Sequence, residues 1–486
     1  MSETHSQTVT FVRDSMLPPV MPPAGERGAV KWLRENLFST PLNIGLTVLG
    51  VVVIWWLVTS SLPWWLHSVW HASSLGECRQ IVAAEAGEGA TGACWAMIRE
   101  RWHQFIFGHQ YPPSDWWRPI LAFGLLFAAL SPVLFAGQKR NLALVLGGMA
   151  VFLLLTLYLA ATPTSAFILS MALVAGLLAL SQVQPGKLLW FTLIYPALCF
   201  WLLWGGTVWL PITAMAGFGV FYLVFRFASP SLGVPVAAGV GIVAAVLWWL
   251  YIASPVAGAL QGALPFSILQ VTSDKFGGFL LAIVIGVSGI AFSLPIGILL
   301  ALGRQSDMLI VKTLSVGFIE FVRGVPLITL LFTASLLLQY FLPPGTNFDI
   351  ILRVIILVTF FAAAYLAEVI RGGLAALPRG QYEAADALGL DYWQAQRLII
   401  LPQALKVSIP AIVSTFIGLF KDTTLVSFVG LYDPLRGITT IVRADIAWKG
   451  IYWEPYIFVG AIFFVICFGM SRYSMYLERK LKTDHR

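Results

Sequence analysis

The chain has 486 residues, 58% of them hydrophobic and 11% charged, against about 25% charged in soluble domains. That composition excludes a soluble fold and indicates a polytopic membrane protein. The net charge of +7 is no nucleic-acid signal, because basic residues of membrane proteins gather on the cytoplasmic side and set orientation.

In chain order, residues 1–42 begin MSETHSQTVTFVRDSMLPPVMPPAGERG, polar and Pro-rich with no apolar h-region. That opening stretch reads as a mostly disordered part of a cytoplasmic tail rather than a cleavable signal peptide. Windows of about 20 apolar residues predict a first span at 43–66, a loop at 67–116, and additional spans within 117–255 near 117–136, 142–161, 165–183, 188–208, 211–227 and 234–253. The stretch 188–227 also reads as one long span with a re-entrant piece. Five more spans follow near 277–303, 322–342, 350–370, 408–430 and 453–475. The apolar runs are continuous rather than alternating, which indicates helices and not a closed barrel.

Charge sets the orientation. With the N-terminus inside, inward segments hold Arg13, Arg27, Lys31 and Arg34, Lys139 and Arg140, Lys187, Arg226, Arg304 and Lys312, then Arg371, Arg379 and Arg397, and the tail RYSMYLERKLKTDHR. The outward turns TPTS and GGTVWLPIT have no basic residue. Twelve spans with both termini cytoplasmic satisfy this pattern.

The outward loop 67–116 carries Cys78 and Cys94, a possible disulfide, and His67, His71, His103 and His109 without the spacing of a metal site. Trp116, Trp117 and Arg118 suit a membrane boundary. A second outward segment, 431–455, mixes apolar residues with Arg436, Arg443, Asp445 and Lys449. It suits packing at the outer surface or an extracytoplasmic partner.

No G-x-x-x-x-G-K-[ST] phosphate loop, H-E-x-x-H, nucleophile elbow or Cys-x-x-Cys occurs, so neither nucleotide nor metal binding is expected of this chain. The polar interruption EAADALGLDYWQAQRLIILPQAL (383–405) has the marks of a docking element. Glu383 opens a short helix where negative charge suits the dipole, and the small Ala384 and Ala385 admit a close partner. Gly389 permits a left-handed stop. Asp391 with Gln394 three residues on predicts a capping box. Pro402 is expected to turn the chain back toward the membrane.

The spacing of Glu383, Ala384, Ala385, Gly389, Ile399, Leu401 and Pro402 resembles the EAA loop of ATP-binding-cassette (ABC) importer permeases. IEFVRGVPL (319–327), AAAYLAEVIRGGLAALPRGQYEAADALG (362–389) and IGLFKDTTLVSFVG (417–430) are similar to elements of polar amino-acid permeases, with Thr424 where Ser is usual. CFGMSRYSMYLERKL (467–481) resembles the general L-amino-acid permeases of the AapM/BztC type. The resemblance covers about 275–486 and 107–136 and is weak over 140–255.

The resemblance implies an all-α membrane protein with a C-terminal five-helix type I permease core at 275–486 and a coupling loop at 372–407. It implies a cytoplasmic ABC ATPase dimer that binds ATP and Mg, a second, related permease subunit, and a periplasmic amino-acid-binding protein, in a Gram-negative inner membrane.

Lys421 and Asp422 fall mid-span, where ionisable groups default to function. With Thr423 and Thr424 they form a patch suited to both ends of an amino acid, or to pairing with a neighbouring helix or subunit. Glu320 with Arg323, and Glu368 with Arg371, are spaced i,i+3 and read as structural ion pairs positioning the elbow. Two rivals remain at this point. An ion-coupled secondary transporter should show two matching halves; a membrane-bound transferase or hydrolase should show a catalytic cluster.

Overall fold

A computed structural model describes residues 28–135, 138–341 and 349–481. They fall into two units that divide after Ala96; most of the expected N-terminal tail lies outside the described residues.

The first unit holds α1 (Gly28–Asn36), α2 (Pro41–Leu66) and α3 (Leu75–Ala86). Thr40 caps α2 by accepting from the Asn43 amide, and Pro41 occupies the first turn, where its missing N–H costs nothing. Trp95 lies against Trp64, Trp65 and Trp70, with ring centroids 5.6–6.2 Å apart.

The second unit opens with most of α4 (Ala96–Phe107). Then come α5 (Trp117–Leu134), α6 (Lys139–Leu159), α7 (Thr164–Val183), α8 (Leu188–Trp204), α9 (Trp209–Leu232), α10 (Val234–Leu247) and α11 (Ala253–Ala263). The stretch 188–227 is therefore two helices, joined at β1 (Gly206–Thr207), which pairs antiparallel with β2 (Ser267–Ile268). A π-helical turn at Trp248–Ile252 joins α10 to α11, which lengthens the span expected at 234–253 to Val236–Ala263.

The last part contains α12 (Gly278–Gln305), α13 (Leu309–Gly324), α14 (Leu327–Phe341), α15 (Ile350–Ala375), α16 (Arg379–Ala387), α17 (Tyr392–Ala395), α18 (Leu401–Asp422), α19 (Pro434–Ala444) and α20 (Trp453–Leu481). Eleven helical segments of the described residues are long and apolar enough to cross a membrane. A twelfth is gained if α13 and the start of α14, bent by 101°, make one broken span. The break falls at Val325–Pro326, where proline removes an amide donor and restricts the residue before it.

Two bundles meet at one apolar core. Helices α5, α6, α7 and α8 pack in sequence, and α15 packs on α12, α14 and α18. Leu125, Leu146 and Leu203 of the first bundle share a buried cluster with Leu281, Ile285 and Val354 of the second. Small residues bring the second bundle's backbones close. Ala362, Ala363, Ala364 and Ala367 are buried on α15, and a Cβ on Gly297 of α12 would lie 2.8 Å from the Leu366 Cβ. A Cβ on Gly373 of α15 would lie 2.6 Å from the Ala404 carbonyl oxygen of α18.

Candidate functional site

The elbow is built as two capped pieces. Helix α16 stops in a Schellman arrangement: the Leu390 amide donates to the Ala385 carbonyl at 3.2 Å and the Gly389 amide to the Asp386 carbonyl at 2.9 Å. Gly389 takes φ +69°, the left-handed region that a side chain enters only under strain. Asp391 then caps α17: its carboxylate accepts from the Gln394 amide at 2.8 Å, and the Gln394 side chain accepts from the Asp391 amide at 3.2 Å.

Beyond the cap, the structure departs from the expected bend at Pro402. A π-helical turn at Gln396–Ile400 carries α17 directly into α18. Pro402 sits in the first turn of α18; the widened turn before it absorbs the missing amide, so the proline continues the helix instead of redirecting it.

One face of the elbow is anchored. Ala385 and Ile400 are buried, and Ile400 and Ala404 share an apolar cluster with Ala301 and Leu302 of α12, Ile319 of α13, and Leu366, Ile370 and Leu374 of α15. The Gln403 side-chain amide of α18 donates to the Gln381 side-chain carbonyl of α16 at 2.8 Å. Burial raises the pKa of Tyr382 on this inner face. The opposite face is open: Glu383, Ala384 and Pro402 are exposed, as are the large apolar side chains of Leu388, Tyr392, Trp393 and Leu398. Ile399 and Leu401 lie half-buried between the two faces.

Beside the elbow lies an ion-pair network. Glu368 of α15 accepts from Arg371 at 2.6 Å, lies 3.2 Å from Arg304 of α12, and lies 4.0 Å from Arg323 of α13. Glu320 pairs with Arg304 at 2.8 Å. The i,i+3 pair expected between Glu320 and Arg323 is absent from the ion pairs of the described residues: the packing of α12, α13 and α15 offers each a partner on another helix. Arg304 was missed because its partners are distant in sequence; only the packed bundle shows them.

At the Lys421–Thr424 patch the backbone changes form. The α-helix ends at Asp422, and a 3₁₀ turn runs from Thr423 to Val429 before Gly430 closes it at φ +98°. Lys421 thus lies in a last α-helical turn, where a cation suits the dipole, inside a candidate span that continues to Val429. Thr423 is fully buried, and its hydroxyl donates to the Phe420 carbonyl at 2.7 Å, so it presents nothing to a ligand here. The Thr424 hydroxyl donates to the Lys421 carbonyl at 2.9 Å. Lys421 is exposed and Asp422 half-buried, and neither takes part in an ion pair of the described residues.

At the end of the bundle opposite the elbow, Asp433 is fully buried. Its carboxylate accepts from the amides of Leu435 and Arg436 at 3.0 Å each, starting α19. Burial pushes its pKa up to about 6, against the opposing pull of those amides and of the Arg436 charge. Arg101 of α4 bonds Asp445 at 2.6 Å. Arg118, placed at a membrane boundary from sequence, lies near the start of a candidate span and is enclosed, paired with Asp115 at 2.8 Å and donating to the Leu269 carbonyl at 2.6 Å. Cys78 and Cys94 are joined in a disulfide. Among the described residues, no group of three His, Cys, Asp or Glu side chains could hold a metal ion.

Residues 293–483 match the family model "Binding-protein-dependent transport system inner membrane component". The chain is 62% identical to the glutamate/glutamine/aspartate/asparagine transport system permease protein BztC of Rhodobacter capsulatus, over 98% of this chain and 99% of that one. It is 35% identical to the inner membrane amino-acid ABC transporter permease protein YhdY of Escherichia coli K12, over 94% of each. The glutamate/aspartate import permease protein GltK of Escherichia coli O6:H1 is 33% identical over 96% of its own length but only 44% of this chain. Residues 140–255, where the sequence resemblance was weak, thus fall within the alignments to these full-length relatives. An all-α bundle whose C-terminal half matches a binding-protein-dependent permease, aligned end to end with amino-acid permeases, leaves one assignment: the chain belongs to the family of amino-acid ABC transporter permeases, membrane components that are not themselves enzymes and whose family implies an ATPase and a substrate-binding protein.

Proposed function

We propose that this chain is one of two related permease subunits lining the pathway of an importer for acidic amino acids and their amides, the substrates named for its 62%-identical relative. The elbow carries the proposal: a rigid element with one face packed on α12, α13 and α15 and the other presenting Leu388, Tyr392, Trp393 and Leu398 to a partner. That partner is a cytoplasmic ABC ATPase dimer, which binds ATP and Mg. Glu383, Ala384, Ala385, Gly389, Ile399, Leu401 and Pro402 form or support the docking element.

In this reading the elbow, Lys139, Arg140, Lys187 and Arg226 face the cytoplasm, with both termini inside, in a Gram-negative inner membrane. The layout is a tail at 1–42, a first span at 43–66, a periplasmic loop at 67–116, added spans within 117–255, and the permease core at 275–486. A periplasmic binding protein delivers substrate to the end bearing α19. ATP favours one arrangement of the ATPase dimer, and the elbow passes that bias to α12 and α15 as a shift in population. Lys421 and Asp422, uncommitted to ion pairs among the described residues, contact the substrate or the second permease; Thr424 helps shape their surroundings.

The test is reconstitution of the co-purified complex in proteoliposomes with its binding protein. Glutamate, glutamine, aspartate and asparagine should stimulate ATP hydrolysis and be taken up, whereas lysine and leucine should not. Uptake that continues without ATP and collapses with an ion gradient would instead support a secondary transporter.

A further inference from the structure

A cavity of about 800 Å³ opens between the added helices and the permease core. Its walls come from α5 and α8 on one side and α12 and α20 on the other, and they are almost wholly apolar. Of the three wall hydroxyls, which include Ser288, two are already engaged: Thr192 donates to the Ala129 carbonyl at 2.7 Å and Tyr195 to the Ala122 carbonyl at 2.8 Å. Water entering here would meet few polar partners. An empty cavity would deprive its lining of dispersion contacts.

The dimensions identify an occupant. The cavity begins at the end of the bundle opposite the elbow. Along α5 it runs from Pro119 to Leu130, about 17 Å at helical rise. Along α12 it runs from Phe279 to Phe292, about 20 Å. One leaflet of the hydrocarbon core is about 15 Å deep. The groove is therefore one leaflet deep, apolar, and placed among membrane-spanning helices.

We propose that this groove holds an acyl chain of a phospholipid from the leaflet opposite the elbow, seated as a wedge between the added helices and the core. The lipid fills space that side chains leave open, so the two bundles move against a fluid filler rather than a sealed joint.

Ala291 of α12 and Ala461 of α20 line the groove and are exposed, so a tryptophan at either fills it. The experiment compares the complete transporter, purified from membranes and taken through increasing detergent, with its Ala291→Trp and Ala461→Trp variants by native mass spectrometry. Leu154→Trp, on an exposed face of α6 away from the groove, is the control. Wild type and control should keep a bound phospholipid that both groove variants lose at least tenfold. Equal retention in all four would overturn the proposal, as surface lipid only. Cross-linking of an Ala291→Cys variant to another protein chain of the transporter would also overturn it, because protein then fills the groove. Should the tryptophans prevent assembly, Ala461→Leu is read the same way.

Discussion

Glu368 is the acidic centre of the network beside the elbow, with three arginines from three helices within 4.0 Å. Its neutralisation leaves those cations facing one another, whereas Glu320 is exposed and pairs, among the described residues, with Arg304. Partial exposure tempers the loss: Glu368→Gln should destabilise by about 1 kcal/mol and Glu320→Gln by less. Thermal unfolding of the detergent-purified complex checks the order. Asp433 gives a pH-dependent counterpart. Its folded pKa of about 6 lies above the ordinary aspartate value of about 3.9, so the folded state holds the proton more tightly. The stability it contributes is full below about pH 4 and is lost as pH rises through 6. Asp433→Asn removes the buried charge, but its single carbonyl oxygen accepts from only one of the Leu435 and Arg436 amides, which bond different oxygens of the aspartate. The variant's stability relative to wild type should therefore rise by about 1–3 kcal/mol between pH 4 and pH 8, which melting curves at the two pH values check.

At the scale of elements, the crossing of α15 over α18 turns on one glycine. A Cβ on Gly373 would meet the Ser408 hydroxyl and the Ala404 carbonyl, while one on its neighbour Gly372 meets nothing within 4 Å. Gly373→Ala should cost about 1–3 kcal/mol through overpacking, and Gly372→Ala should not destabilise; paired melting curves decide. The elbow's caps were legible in sequence because they are local: Gly389, and Asp391 with Gln394, dictate their own backbone within four residues. The continuous helix through Pro402 was not, because a proline reads as a breaker until a π-helical turn is seen to accommodate it. The 3₁₀ end of α18 was hidden for a similar reason. Thr423 and Thr424 are compatible with a helix, and only the backbone shows their hydroxyls turned onto carbonyls one turn back.

For the whole molecule, apolar runs and basic loops made the spans and the membrane class readable, since burial in lipid constrains composition directly. The ion-pair network and the apolar core joining Leu125 to Leu281 and Val354 were not readable, because they depend on which helices become neighbours. The central claim is that the elbow transmits ATPase motion to α12, α13 and α15. Gly389→Pro is its most direct test: proline cannot adopt φ +69°, and its missing amide removes the bond to the Asp386 carbonyl, so the elbow's shape is lost while the spans are untouched. The measurement is ATP-driven uptake of glutamate into proteoliposomes, per transporter, at equal membrane insertion. The account expects a loss of at least tenfold for Gly389→Pro; uptake at the wild-type rate would contradict it.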